Sequence, residues 1–393
     1  MSPAPGRSVH AQSATERIYV DETASTAIAH ELETTGRQRA FIIASRTLAT
    51  TTPVVTALQT ALGDRHVGTF CEVPAHGSRA AVLAATSAAR AASADVLVAI
   101  GGGSIIDTAK VVALCLRHDL QAHDDLEPYR VMVDAQGRRL PPTFDGPDVP
   151  VIAVPTTLSG AEFYETGGIT NEREGRKQSF GHRRMVPRAV VLDPAITLHT
   201  PHWLWISTGV RAIDHAVETL GSLHSNAYTD ALAESALRTL GEALRQTFRD
   251  PGDTAARGRC LTATWQSMTP LAAGVPMGIS HATGHVLGGS FGVSHGHTSC
   301  VVAPSALAFN VPFNGERQLR ISAALGDAHA PASALLDHLI RELGMPRSLA
   351  EVRFDRRDLP RLAEGVMLDR WTATNPRPIQ NAGQMIAFLE TLP

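Results

Sequence analysis

Residues 95–110 read DVLVAIGGGSIIDTAK and combine the signals of a strand, a tight turn and the start of a helix. Asp95–Ile100 is an almost continuous apolar run, which is typical of a strand buried on both faces of a parallel sheet. Gly101, Gly102 and Gly103 follow at once, and a helical pattern begins after them. Because a buried strand feeding a helix is the repeating unit of α/β proteins, this stretch predicts a mostly parallel sheet covered by helices.

The same alternation continues on both sides of this stretch. Short apolar runs at Ala40–Ala44, Val151–Val154 and Ala189–Leu192 predict further buried strands, and residues 80–92 have the composition of a helix. The polar residues 118–150 are expected to form an insertion or connector. The first half of the chain therefore predicts one α/β domain.

The pattern changes near Pro194, after which helical signals dominate and strand signals almost disappear. The predicted helices are Ser207–Leu220, Tyr228–Phe248, Ala255–Pro270, Arg317–Leu325 and Ser333–Leu343. We expect a flexible leader over residues 1–16, an α/β domain over 17–197 and an all-helical domain over 198–393. Sites commonly lie in the cleft between two such domains.

Composition limits the classes of function that the chain can serve. The net charge is −3 and no run of Lys or Arg is present, so nucleic acid is not an expected partner. The N-terminus is polar, and no apolar stretch approaches the roughly 20 residues that cross a bilayer, so neither a signal peptide nor a membrane span is expected. The four cysteines lack CxxC spacing and indicate reduced thiols. A cytoplasmic protein is expected.

The glycine turn has the properties of an anion site. Without Cβ atoms at Gly101–Gly103, backbone N–H groups can approach a phosphate at the positive end of the helix dipole. Ser104 can donate its hydroxyl to the same anion, and Asp107 can hold a ribose or an amide. The alternative is a tight strand-to-helix turn without a ligand, since the GxGxxG pattern is absent.

Five elements, in order, resemble those of the iron-containing alcohol dehydrogenase superfamily. They are GGGSIIDTAK (101–110), PTTLSGAE with GIT (155–162 and 168–170), VPRAVVLDP (186–194), STGVRAIDHAVE (207–218) and SHATGHVLGGSFGVSHG (280–296). The short loop of the second element is similar to that of maleylacetate reductases. The resemblance implies a dehydroquinate synthase-like fold, an NAD(P)-binding first domain and a homodimer.

The resemblance also implies which residues bind the dinucleotide. They are Gly101, Gly102, Gly103, Ser104, Asp107, Thr156, Thr157, Ser159, Lys177 and Leu192, with Ser45 and Arg46 at the adenosine ribose. NAD-selective relatives carry an acidic residue where Ser45 lies. Its absence, next to Arg46, predicts that NADPH binds at least as well as NADH. For Lys177, a solvated loop position is the alternative.

The histidines near the end of the fifth element form the candidate reaction centre. His281 and His285 are four residues apart, so a helix would present both on one face. Family members hold a divalent metal with one Asp and three His side chains, and the resemblance assigns the histidine positions to His215, His281 and His295. The Asp position is Arg211.

A guanidinium has no lone pair and repels a dication, so Arg211 argues against a bound metal. Maleylacetate reductases, as a family, also lack this Asp and work without a metal. Three neutral histidines can nevertheless hold zinc, so a metal-dependent dehydrogenase using His215, His281 and His295 remains the alternative.

The expected activity is NAD(P)H-dependent reduction of a carbonyl or enone in a small, anionic substrate. Arg211 would stabilise the developing negative charge or bind a substrate carboxylate, and His285, secondarily His281, would supply the proton, with His215 in the same centre. Alternatively, Arg211 forms a salt bridge with Asp214 or Glu218. A different class of function is a catalytically inactive, nucleotide-binding regulatory homologue.

Overall fold

A six-stranded parallel sheet forms the centre of the first half of the chain, in a computed structural model that describes residues 13–134 and 139–393. The strands of the whole chain are β1 (Arg17–Val20), β2 (Ala40–Ala44), β3 (His66–Phe70), β4 (Val96–Gly101), β5 (Met132–Val133), β6 (Arg139–Leu140), β7 (Val151–Pro155), β8 (Thr166–Asn171), β9 (Arg176–Gly181) and β10 (Ala189–Leu192). Residues 1–12 of the expected leader lie outside the described residues.

The order of the main sheet is β1-β10-β7-β4-β2-β3. From β2 the chain moves outward to β3, then crosses back to β4 and continues through β7 to β10. The strand order therefore reverses between β2 and β4. Open α/β sheets bind ligands at the carboxyl ends of the strands where this reversal occurs, which here means the ends of β2 and β4.

Helices cover both faces of this sheet. They are α1 (Ala24–Thr35), α2 (Arg46–Thr51), α3 (Val54–Leu62), α4 (Arg79–Ala91) and α5 (Gly103–Arg117). Successive strand residues point to opposite faces. Leu97 accordingly packs in the apolar cluster with α4 and α5, and Val98 in the cluster with α1 and α3. The predicted α/β architecture is confirmed.

Two small antiparallel pairs were not predicted from the sequence. β8 and β9 form a hairpin, and β5 pairs with β6 inside the segment expected to be a polar connector, which also contains a 3₁₀ helix at His123–Tyr129. The hairpin strands are rich in glycine and polar residues, so their apolar alternation is weak. The hairpin packs against α5.

The second half of the described chain contains helices and no strand. They are α6 (His202–Gly221), α7 (Ala227–Arg249), α8 (Thr254–Ala272), α9 (Ile279–Phe291), α10 (His295–Ala324), α11 (Ala332–Glu342), α12 (Leu359–Met367) and α13 (Ala382–Leu389). Val190 and Leu192 of β10 share an apolar core with Trp205 and other residues of these helices. The boundary expected at residues 197–198 remains a prediction; β10 ends at Leu192 and α6 begins at His202.

The expected short helix Arg317–Leu325 is wrong in its extent, because those residues end the 30-residue helix α10. Pro304, Pro312 and Gly315 hide the helical pattern of this segment, and Asn314 has non-helical backbone angles that mark a kink. No helix among the described residues is long and apolar enough to cross a membrane.

Candidate active site

The glycine turn lies at the carboxyl end of β4, at the reversal of strand order. Gly101 has φ +153°, and a Cβ atom there would lie 2.6 Å from Cγ1 of Ile105, so no other residue fits without strain. α5 begins two residues later, and the N–H groups of Ile105 and Ile106 both point to the carbonyl of Gly102. The earlier N–H groups of the helix have no intrahelical partner and are available to an anion.

The turn packs directly against the segment that follows β7. A Cβ atom on Gly102 would lie 3.1 Å from Cγ2 of Thr157, and one on Gly103 would lie 3.0 Å from Oγ of Ser159. Thr156 donates its N–H to the carbonyl of Gly101 at 3.0 Å. The structure thus brings these sequence-predicted cofactor residues into one surface around the helix N-terminus.

Ser104 and His76 join the turn to the helical half of the chain. The Ser104 hydroxyl oxygen accepts the His76 N–H at 3.0 Å, so its own proton stays available for a phosphate. His76, which has φ +67°, places its ring 5.8 Å from that of His295. His76 was not predicted from the sequence, because it becomes relevant only through this contact between the two halves.

Asp107 anchors the β8–β9 hairpin. Its carboxylate accepts the Gly168 N–H at 3.1 Å and lies 3.3 Å from Nζ of Lys110, which is fully buried. The hydrogen bond from Gly168 holds the hairpin against α5, and the contact with Lys110 fixes the Asp107 carboxylate within the helix. A contact between Asp107 and a bound dinucleotide remains a prediction.

Lys177 lies over the same hairpin and reaches towards the histidines. A Cβ atom on Gly168 would lie 2.4 Å from Cε of Lys177, so this glycine makes room for the lysine stem. Burial lowers the pKa of His76 and that of His295, and the charge of Lys177 lowers both further. Lys177 is exposed on β9, close enough to His76 and His295 for its charge to act on both, and a contact between Lys177 and a bound cofactor remains a prediction. Leu192, by contrast, is buried in the apolar core.

Ser45 and Arg46 lie at the carboxyl end of β2, beside the glycine turn. The Ser45 N–H donates to the carbonyl of Ile100, and the Ser45 hydroxyl caps α2 by accepting the Leu48 N–H at 3.3 Å. Nη1 of Arg46 is 3.3 Å from Oε2 of Glu72, which follows β3. The sequence did not indicate this acidic neighbour, since 26 residues separate the pair.

Arg211 lies on α6 with its side chain buried. Nη1 donates to Oγ of Ser299 at 3.1 Å and lies 3.6 Å from Oδ2 of Asp214, so the salt bridge considered from the sequence is present. A Cβ atom on Gly284 would lie 3.3 Å from the same nitrogen. The remaining guanidinium nitrogens make no hydrogen bond within residues 13–134 and 139–393, and 10% of the side chain is exposed.

Two buried carboxyl groups accompany Arg211 on α6. Burial raises the pKa of Asp214 to about 7 and that of Glu218 to about 7, and the two carboxyl groups oppose each other's ionisation. Glu218 accepts the N–H groups of Gly278 and Ser280, at the start of α9. Ser280 also donates its hydroxyl to Asp214 at 2.9 Å. Through these hydrogen bonds, Glu218 and Asp214 hold the start of α9 against α6.

Of the three histidines assigned by family resemblance, His215 on α6 and His281 on α9 lie side by side, whereas His295, at the start of α10, has its ring 5.8 Å from that of His76. The rings of His215 and His281 are 4.7 Å apart, and Nδ1 of His281 is 2.6 Å from Oε2 of Glu218. Burial holds the pKa of each of His215, His281 and His295 well below its ordinary value, so all three are neutral. Nδ1 of His215, Nε2 of His281 and Nδ1 of His295 are buried and have no hydrogen-bond partner in the described part of the chain.

The side chains present do not fit the four-ligand metal site of the family. In residues 13–134 and 139–393, the only group of three potential ligand atoms within 4.8 Å of one another comes from Asp214, Glu218 and His281, not from the three histidines. The Glu218 carboxylate already accepts hydrogen bonds from the N–H groups of Gly278 and Ser280, and the Arg211 guanidinium lies beside the Asp214 carboxyl group. A permanent cation at the carboxylate position repels a dication and offers no lone pair.

His285 lies one turn beyond His281 on α9, and 38% of its side chain is exposed. Its Nδ1 is 2.9 Å from Oδ2 of Asp369, in the loop after α12. Asp369 was missed in the sequence because 84 residues separate the two positions. No motif near Asp369 pointed to it.

A glycine turn at the switch point of a parallel sheet, with buried histidines of the helical half nearby, is the arrangement expected of an NAD(P)-dependent oxidoreductase. Two family profiles identify the group. Residues 15–194 match the iron-containing alcohol dehydrogenase family, and residues 205–392 match the C-terminal part of the Fe-containing alcohol dehydrogenase family. The chain belongs to the iron-containing alcohol dehydrogenase family and is an oxidoreductase, as the sequence motifs predicted.

Individual relatives agree with this assignment. Maleylacetate reductase from Sphingobium indicum is 32% identical over 345 residues, covering 87% of this chain and 87% of that protein. The crystal structure of maleylacetate reductase from Agrobacterium tumefaciens has a TM-score of 0.82 at 27% identity and covers 98% of each chain. Sulfoacetaldehyde reductase from Bifidobacterium kashiwanohense, crystallised with NAD⁺, shares the fold with a TM-score of 0.85 at 20% identity, covering 98% of this chain and 99% of that chain.

Proposed function

We propose that this protein reduces the carbonyl or enone group of a small anionic substrate with NAD(P)H, and that Arg211, not a metal ion, supplies the positive charge at the reaction centre. The observation that carries the proposal is the buried guanidinium on α6, beside the histidines that a metal would otherwise join. Maleylacetate, the substrate named for the relatives, is the first compound to test.

The charges around Arg211 support an electrostatic role. Burial favours the protonated form of Asp214, so the acid opposite Arg211 does not carry a full negative charge at neutral pH. His215 and His281 are neutral. Burial lowers the pKa of Arg211, but a guanidinium remains charged in proteins. Arg211 itself therefore stays charged, and the guanidinium nitrogens that Asp214 and Ser299 do not engage can bind a substrate carboxylate or a developing alkoxide.

The reduction needs a hydride and a proton. A bound NAD(P)H would supply the hydride to the carbonyl carbon, or to the β-carbon of an enone, and the electron pair would move to oxygen. Arg211 stabilises the resulting anion, and His285 supplies the proton because it is the histidine of the group whose ring is accessible. Lys177 and the glycine turn hold the cofactor on the opposite wall of the cleft.

Metal analysis combined with two substitutions tests this proposal. We expect far less than one metal ion per purified chain and no loss of reductase activity on treatment with EDTA. Arg211→Ala should lower the rate by about 10²–10³, because a charge-assisted contact to the transition state is lost. Arg211→Asp should create zinc affinity by rebuilding the ligand set of the family, whereas the exposed control Arg238→Asp on α7 should not.

Stoichiometric metal in the unmodified protein, with activity lost on chelation, would instead establish a metal-dependent dehydrogenase using His215, His281 and His295. The unpartnered nitrogens of these three histidines are the observation that favours this second candidate.

We further propose that the protein is a cytoplasmic homodimer, as expected from the sequence and the family. The cysteines at 71, 115, 260 and 300 are all free thiols, which suits a reducing compartment. Sedimentation velocity of the purified chain measures the oligomeric state directly.

A further inference from the structure

His285 is held at one edge of its imidazole ring and open at the other. Nδ1 lies 2.9 Å from Oδ2 of Asp369, and a carboxylate can only accept, so Nδ1 carries the proton of this hydrogen bond. Nε2 has no hydrogen-bond partner among the described residues. The exposed part of the ring connects this nitrogen with the cleft and with solvent.

Asp369 is itself fixed. Its second carboxylate oxygen, Oδ1, accepts the Trp371 N–H at 2.9 Å, and its own N–H donates to the carbonyl of Val366 at 3.0 Å. The ring of Trp371 is covered by the guanidinium of Arg370, 3.9 Å from the ring centroid. The carboxylate therefore has a defined direction before it meets His285.

The loop that carries Asp369 is fastened to the beginning of α9, the helix that carries His285. The Thr374 hydroxyl donates to the carbonyl of Met277 at 2.7 Å. Asn375 accepts the Ile279 N–H at 3.1 Å and donates to Asn310 of α10 at 2.8 Å. The loop of Asp369 is thus attached to the start of the helix that carries His285, which fixes the two residues relative to each other.

We propose that Asp369 is a positioning residue for His285, and that it selects the tautomer in which Nδ1 is protonated and Nε2 faces the substrate. This inference rests on the proposed function. When His285 carries a proton on both ring nitrogens, it can release the Nε2 proton to the substrate anion, and the ring that remains is the Nδ1-protonated tautomer held by Asp369. Nε2 then takes up a new proton from solvent, without any rearrangement at Nδ1. Free imidazole side chains prefer the opposite, Nε2-protonated tautomer.

Histidine ¹⁵N NMR tests the proposal without requiring a substrate. In protein labelled with ¹⁵N-histidine, with the His285 signals identified from His285→Gln, neutral His285 should be in the Nδ1-protonated tautomer. Asp369→Ala should convert most of it to the Nε2-protonated form. Asp369→Asn keeps an acceptor oxygen and should retain the Nδ1-protonated form in large part. The control Asp355→Asn, which removes an exposed carboxylate paired with Arg357, should change nothing at His285.

An Nε2-protonated His285 in the unmodified protein, or an unchanged tautomer in Asp369→Ala, would overturn the proposal. The observation of Nε2-protonated His285 in the unmodified protein would overturn the proposal even if the Asp369→Ala variant did not fold. An NADPH titration of the same samples separates this inference from the proposed function. Absence of cofactor binding contradicts the function, whereas binding with the wrong tautomer contradicts only the role of Asp369.

Discussion

Arg211 carries a positive charge at the position where the family motif has a negatively charged Asp. This replacement changes the electrostatics around the neighbouring side chains. Nδ1 of His215, Nε2 of His281 and Nδ1 of His295 are buried without a hydrogen-bond partner in the described part of the chain. The guanidinium of Arg211 has Asp214 3.6 Å away and Ser299 as a hydrogen-bond acceptor. In the proposed function, this guanidinium takes the role that a metal ion has in other members of the family.

Cofactor preference is also decided by single side chains at the end of β2. Arg46 can bind the 2′-phosphate of NADPH, but Glu72 lies 3.3 Å from it and competes for the guanidinium. We expect NADPH to bind at least as well as NADH. Glu72→Gln should tighten NADPH binding by about three- to tenfold and leave NADH within twofold, because only the phosphate gains from removal of a negative charge.

Fluorescence titration with both nucleotides measures these constants. Ser45→Asp should shift the preference to NADH, since it adds a carboxylate next to the 2′-position. The control Glu364→Gln on α12 removes an exposed charge far from β2 and should alter neither constant. Clear NADH selectivity of the unmodified protein would contradict this prediction.

At the scale of elements, the β8–β9 hairpin depends on one lysine. Nζ of Lys110, on α5, donates to the carbonyls of Ala161 and Thr166 at 2.6 and 3.1 Å and pairs with Asp107. Desolvation lowers the pKa of this fully buried amine. The hairpin in turn carries Lys177, so α5 positions both the phosphate site and the hairpin that bears this lysine.

Lys110→Met should destabilise the protein by about 3 kcal/mol, because Asp107 and the carbonyls of Ala161 and Thr166 lose their buried contact with the ammonium group. Urea unfolding measures the loss, and hydrogen exchange should show faster exchange at the β8 and β9 amides before other regions. Arg238→Met, which removes an exposed cation from α7, is the control and should change stability by less than about 0.5 kcal/mol. Unchanged exchange in the hairpin would show that Lys110 does not anchor it.

At the scale of the whole molecule, stability should depend on the protonation of Glu162. This side chain is fully buried, and neither carboxyl oxygen receives a hydrogen bond from another residue in the described chain. Desolvation raises the pKa of Glu162 from 4.5 to about 7. The folded protein therefore binds this proton more tightly than the unfolded chain, and the contribution is present below about pH 4.5 and is lost as the pH rises through 7.

The loss amounts to about 3 kcal/mol between pH 5 and pH 8 if Glu162 acts alone. Urea unfolding across this range should show a smaller fall in stability for Glu162→Gln than for the unmodified protein, whatever the absolute stability of the variant. Glu364→Gln serves again as the control and should keep the original slope. An identical slope in Glu162→Gln would mean that this carboxyl group does not titrate as a buried acid.

The parallel sheet, the helical second half, the glycine turn and the family could all be predicted from the amino-acid sequence. These features are local: an apolar strand, a glycine run and a helical period are each written within about 15 consecutive residues. The sequence also shows that Arg211 stands among the histidine positions, because a family motif fixes the spacing of α6.

The pairing of the side chains in the site became apparent from the packed structure alone. Asp369 with His285, Glu72 with Arg46, and Glu218 with His281 join residues that are 26 to 84 positions apart in the chain. Helix packing creates these pairs, and burial then sets the charge of the groups involved, as it does for Asp214 and Glu162. No local sequence pattern encodes the distances between remote side chains or their exposure to solvent. Both are set when the helices and the sheet pack together.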